Sequence, residues 1–375
     1  MSNTTPDKSS LVLVLYTGGT VGMKKLSENE PCILHLDLSI EELKKHPLLH
    51  DVAFALPQAR KVGVTERLAM PAHDQDNSRI LYDIKKAGNV RESKDTCTKD
   101  WMDMATEIAN TYEDYDGFVI LHGTDTMAYT ASALSFMLEN LGKPVVLTGA
   151  QTPIYEKVTD AKDNLAGALL FAGYYAVSEV TIFFNGKLFR GNRSTKVDAI
   201  SFSVFDSPSC PPLAKLSSDG VVEWNYSADP RHRGCFTLHT KMSQNIALLP
   251  VFPGIPIQMI KGCLEPSIEG VVLVTYGSGN IPDSRTDLIK AIKEATGKGV
   301  VIVTCCPCRG GPHDVSTEFV EKGLVELGVV PGGDMTVECA LTKVAFVVGL
   351  KELTLEDRKS LMVSNLRGEI STSKR

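Results

Sequence analysis

The stretch Gly117–Asn140, GFVILHGTDTMAYTASALSFMLEN, does most to limit what this chain can become. Phe118–Leu121 is a short apolar run that includes β-branched residues. A strand buried on both faces reads this way, although so short a run is ambiguous by itself. His122, Gly123, Thr124 and Asp125 follow, all polar or small. Met127, Ala131, Leu134 and Leu138 then recur at helical spacing, and Gly142 and Pro144 form a stop signal. The unit is strand, polar turn, helix. In an open parallel sheet that turn lies at the carboxyl end of a strand, where ligands bind.

The same pattern recurs along the chain. Leu11–Tyr16, LVLVLY, runs into Thr17-Gly18-Gly19-Thr20, whose glycines permit backbone angles or close approaches that other residues resist. A helix is expected near Asp100–Tyr112, a buried strand at Pro144–Thr148, and a helix beginning at Asp160, which suits its N-cap. Asp163 adds a favourable charge in that helix's first turn. Glu179–Phe184 reads as a strand leading into a polar, basic loop, Leu188–Lys196. Strands alternating with helices predict an α/β fold with a parallel sheet.

A chain of 375 residues is long for one core. The proline-containing stretch Ser207–Gly234 breaks the pattern, and a second α/β unit follows. Its strands are expected at Val271–Thr275 and Val300–Thr304. Its helices are expected at Asp287–Ala295, Phe319–Leu327, Met335–Val347 and Glu352–Leu366. The expected organisation is an N-terminal domain over 11–212, a connection over 213–242 with some hairpin structure, and a C-terminal domain over 243–370. Residues 24–60 are polar and mixed, with a short helix near Ser39–Lys45, and are expected to supply a mobile flap. Met1–Ser10 reads as a disordered tail without the apolar core of a signal peptide.

A net charge of −6 argues against a general nucleic-acid binder, and no apolar run reaches membrane-spanning length. Nine cysteines without an export signal point to reduced thiols and a cytoplasmic protein. Cys305, Cys306 and Cys308 contain a C-x-x-C, read as structural, with a redox pair or half a metal site as the alternative. His46 and His50 have zincin-like spacing but lack the adjacent glutamate. Neither a P-loop nor a G-x-S-x-G elbow occurs, and Gly277-Ser278-Gly279 lacks the third glycine of a dinucleotide fingerprint. No metal and no cofactor are expected.

Three features remain. Thr20 follows two glycines at a strand end, and a helix cap or turn residue is the ordinary reading. Thr124-Asp125 precedes a helix, which Asp125 or Thr126 would cap. Lys196 lies in a basic loop, where most lysines are solvated. Taken together they point to nucleophilic catalysis. A threonine hydroxyl is weak until a base takes its proton, and a lysine is such a base only when neutral. Backbone N–H groups beside the glycines would stabilise an oxyanion. These parts suit acyl transfer.

Thr17-Gly18-Gly19-Thr20 and His122-Gly123-Thr124-Asp125-Thr126-Met127 resemble the two signatures of the bacterial-type L-asparaginase family. Arg190–Lys196, RGNRSTK, resembles its lysine-bearing loop. The resemblance runs from about Leu11 to Leu366 and is strongest to the cytosolic type I branch. It implies a flavodoxin-like N-terminal domain, a smaller C-terminal α/β domain, and cofactor-free hydrolysis of L-asparagine to L-aspartate and ammonia by a homo-oligomer, dimer or tetramer. By resemblance Thr20 is the nucleophile, and Thr124, Asp125 and Lys196 activate it. Gly19, Ser93, Thr124, Asp125 and Asn280 would bind substrate. Ser93 would take the α-carboxylate, Asp125 the α-ammonium, and Asn280 would reach a cleft across a subunit contact. Two departures stand out. Relatives carry a tyrosine near the nucleophile, yet Thr17–Leu81 and Ser316–Phe319 contain none. Lys94 puts a cation next to Ser93.

Overall fold

In the computed structural model the described residues are 9–25, 33–34, 38–54, 67–72, 78–175, 177–217, 219–225, 234–307 and 323–371. The first eight residues of the expected tail lie outside them, as do residues 26–32, 35–37 and 55–60 of the expected flap. So do 308–322, which include Cys308, Ser316–Phe319 and the start of the helix expected at Phe319–Leu327.

The N-terminal domain is built on a nine-stranded sheet. Its centre is five parallel strands: β1 (Ser9–Gly18), β2 (Arg79–Arg91), β3 (Gly117–Leu121), β4 (Val145–Thr148) and β5 (Val180–Phe184). They lie in the order β2-β1-β3-β4-β5, the flavodoxin-like arrangement. In β1, Val12, Val14 and Tyr16 enter one core while Leu13 and Leu15 enter the other. Both faces are covered, so the strand reads as an unbroken apolar run. Helices α1 (Thr98–Thr111) and α2 (Met127–Met137) cover one face, and α3 (Ala161–Gly173) covers the other.

In β2 the short apolar run Ile80-Leu81-Tyr82 is interrupted by Asp83 and followed by Lys85 and Lys86, and the strand had no sequence expectation. Pairing makes the strand possible. Asp83 is buried, takes two bonds of 2.8 Å from Arg67 and one of 3.0 Å from Tyr115 Oη. Lys85 Nζ lies 2.6 Å from Glu107. A buried carboxylate so surrounded escapes most of the penalty of leaving water.

The segment expected as the connection carries the hairpin structure that its sequence suggested. Ala214–Leu216 and Val222–Trp224 form a hairpin that extends the large sheet antiparallel beyond Lys187–Arg190. The smaller domain holds three parallel strands, Ile246–Pro250, Gly270–Val274 and Val301–Cys305. The first of these, and the helix Ile257–Cys263, had no sequence expectation. Val337–Gly349 packs against α2, with Phe136 stacked on Phe346 at 5.8 Å. The helix α2 is consequently buried nearly all round, not on one stripe. No helix among the described residues is long and apolar enough to cross a membrane.

Candidate active site

In this sheet the strand order reverses between β1 and β3, and a crevice opens there at the carboxyl ends of the strands. Two turns flank it: the one after β1 holding Gly19 and Thr20, and the one after β3 holding Gly123, Thr124 and Asp125. They touch. Gly19 has φ +82°, and a Cβ added to it would lie 2.5 Å from Gly123 Cα. Glycine is required both for the angle and for the approach. The Gly19 N–H is taken by Arg91 O at 3.2 Å, so Gly19 contributes closeness and not a free donor.

An open cleft of about 430 Å³ follows, lined by Gly19, Thr20, Ser93, Thr124, Asp125 and Lys196 among others. Lys196 Nζ donates to Thr124 Oγ1 at 2.8 Å and to Asp125 Oδ1 at 2.7 Å. Lys196 is partly buried, at 21% exposure, and does not lie in a free loop. Thr195–Lys196 pairs with Phe205–Asp206 as a short antiparallel ladder. Upstream, Arg193 is buried and its NH2 lies 2.7 Å from Asp334 of the C-terminal domain. The loop read as polar and basic is an inter-domain anchor that presents Lys196.

The helix-cap reading of the second turn fails. Thr126 occupies the N-cap position of α2 without a side-chain cap bond, and its Oγ1 donates to Ser93 O at 2.8 Å. Asp125 faces Lys196 instead. Asp160 also sits at an N-cap without capping: its carboxylate accepts from the Gln151 and Thr152 N–H groups at 3.0 Å.

Beneath the second turn lies a chain of bonds whose direction follows from donor chemistry. Trp101 Nε1–H only donates, at 3.0 Å to Thr130 Oγ1. Thr130 then donates to His122 Nε2 at 3.0 Å, and His122 Nδ1–H donates to Gly123 O at 2.7 Å. Burial pushes the His122 pKa down, outweighing the Gly123 bond and the charge of Asp100, which push it up. A neutral imidazole therefore holds the Gly123 peptide.

Asn280 is placed elsewhere. It lies on an exposed turn of the C-terminal domain, bonded to Ser278 at 2.9 Å, and does not line the cleft of its own chain. Lys94 is paired with Glu92 at 2.5 Å and does not line the cleft either. Among the described residues, no hydrogen bond to Thr20 Oγ1 and no tyrosine in the cleft takes the place of the family's tyrosine. Sequence reading missed Gln151, which lies 3.3 Å from Thr124 Oγ1. Its only signal was a position just past the end of a buried strand, in Thr148-Gly149-Ala150-Gln151.

The described residues hold no cluster of metal-ligating side chains. Cys305 is buried and donates toward Met335 O at 3.4 Å, and burial pushes its thiol up to about 12, as for a core residue. His50 Nδ1 accepts the Ala69 N–H at 3.5 Å.

The comparisons agree with this architecture. Residues 11–230 match the family model of the asparaginase N-terminal domain, and residues 245–362 match the glutaminase/asparaginase C-terminal domain. The chain is 40% identical to an L-asparaginase of Dirofilaria immitis, covering 97% of this chain and 61% of that protein. It is 41% identical to the 60 kDa lysophospholipase of Mus musculus, covering 96% and 62%. It thus spans about three fifths of the length of those relatives. The crystal structure of L-asparaginase I from Vibrio cholerae superposes with a TM-score of 0.81 at 36% identity, covering 97% of this chain and 99% of that one. With both domain models matched in order and the fold shared throughout, this chain belongs to the asparaginase family.

Proposed function

We propose that the chain is an L-asparagine amidohydrolase, releasing ammonia and L-aspartate without a cofactor. One observation carries the reading: Lys196 Nζ bridges Thr124 Oγ1 at 2.8 Å and Asp125 Oδ1 at 2.7 Å, in the cleft that Thr20 also lines. Thr20 attacks the side-chain amide carbon, and its proton passes to the Thr124–Lys196 pair. The amide nitrogen takes a proton and leaves as ammonia, and an aspartyl ester remains. Water, activated by the same pair, hydrolyses the ester and frees Thr20. Asp125, exposed at the cleft mouth, suits the substrate ammonium, and Ser93 suits its carboxylate. Asn280 would act on the cleft of a second copy in a homo-oligomer. Among the described residues Cys97, Cys210, Cys235, Cys263, Cys305 and Cys339 take part in no disulfide, as suits the cytoplasm.

Ammonia release over an asparagine concentration series tests this, with L-glutamine, D-asparagine and a lysophospholipid as rival substrates. Turnover with L-asparagine is expected, and Thr20→Val and Thr124→Val are expected to abolish it while the fold persists. Full activity in both variants would refute the assignment. Lysophospholipid turnover alone would overturn it too, and the polar lining argues against that outcome.

A further inference from the structure

Gln151 lines the cleft, makes bonds of fixed direction and has no role so far. The carbonyl of Ala199 only accepts, so the nitrogen of the Gln151 side-chain amide must face it, at 2.9 Å. The amide oxygen then faces Thr124 Oγ1, at 3.3 Å. That oxygen carries no proton, so the Thr124 hydroxyl is the donor. The backbone is held equally well. Both oxygens of Asp160 lie 3.0 Å from the Gln151 nitrogen, and Asn164 Nδ2 braces Asp160 at 3.1 Å.

The Thr124 oxygen accepts from Lys196, donates to Gln151, and keeps one lone pair for the cleft. We infer that Gln151 is a positioning residue that parks the Thr124 proton, so that Thr124 offers the nucleophile a lone pair and not a hydrogen. The inference rests on the amidohydrolase reading above. With Lys196 neutral, the nucleophile's proton passes to Thr124 Oγ1. The Thr124 proton swings from Gln151 to Lys196 Nζ, which becomes an ammonium. The electron pair left on the nucleophile oxygen forms the bond to the amide carbon, and the carbonyl pair moves onto its own oxygen. At 3.3 Å the Gln151 bond is long enough to be released in that swing.

The test compares wild type, Gln151→Met and Gln151→Glu, using the amide from the panel above that wild type turns over. The Met variant removes the acceptor. Its kcat is expected to fall about 10-fold to 100-fold, a part of what placed acid–base groups contribute, with KM little changed. The Glu variant keeps an acceptor but adds a charge beside Lys196 that favours the cationic, non-basic lysine. Its kcat–pH profile is expected to move to higher pH on the acid side. That shift reports on the site even where the Met variant folds poorly. Wild-type kcat in the Met variant, a loss confined to KM, or an unmoved profile in the Glu variant overturns the inference and leaves the amidohydrolase reading standing. A wild type that turns over no amide in the panel removes both.

Discussion

Replacing Asp334 with asparagine removes the charge that Arg193 needs at the domain boundary. The Arg193 side chain is 3% exposed, and its NH1 and NH2 lie 2.8 and 2.7 Å from the Asp334 carboxylate. It also donates to Glu369 O at 2.6 Å and to Ser371 Oγ at 2.6 Å. At 8% exposure Asp334 is screened little by solvent. Burial pushes its pKa up, but the bonds from Arg193 and Ser371 and the Arg193 charge outweigh that and hold it at about 2. The drop from 3.8 to about 2 corresponds to about 2.5 kcal/mol in favour of the ionised folded form. Stranding a buried cation costs about 3–5 kcal/mol. The Asp334→Asn variant is therefore expected to lose about 2–5 kcal/mol at pH 7, read by urea unfolding with circular dichroism. The pH dependence follows from the sign. A depressed carboxylate stabilises fully above its unfolded value of 3.8, and that contribution is lost as pH falls toward about 2. Wild type is expected to show this loss and the variant to lack it. A variant within about 1 kcal/mol of wild type, with the wild-type slope below pH 3.8, would refute the reasoning.

Two further outcomes follow from the site. A Cβ on Gly123 would lie 2.5 Å from Ser93 Oγ and 2.7 Å from Ser93 Cβ. Gly123→Ala is expected to displace Ser93 and raise KM for asparagine about tenfold, equivalent to about 1.4 kcal/mol; an unchanged KM would show that Ser93 does not hold substrate. His122 is buried with a lowered pKa, so the unfolded chain takes up a proton below 6.5 that the folded one resists. Stability is expected to fall as pH drops below 6.5, and His122→Asn, which keeps a donor toward Gly123 O, is expected to flatten that slope in thermal melts across pH.

The elements legible in the sequence were those whose environment is uniform. β1, β3, β4 and β5 are buried on both faces and show as apolar runs. β2 was illegible because its charges are cancelled by Arg67, Tyr115 and Glu107, partners that local sequence does not reveal. The buried Arg193 misled in the same way, since its partner Asp334 lies 141 positions away. Gln151 carries no motif and acquires its place only because Ala199 and Asp160 fix both of its ends.

By itself the sequence determined the strand–turn–helix grammar, the two glycine-bearing turns and the kind of chemistry a threonine, an aspartate and a lysine can do. Those depend on neighbours within a few residues. Tertiary structure decided that Thr124 and Lys196, 72 positions apart, share one hydrogen bond, and that Gly19 lies against Gly123. It also decided that a basic loop is buried at a domain boundary. Such contacts depend on strand order in the sheet, which follows from how whole faces pack and not from any short stretch of chain.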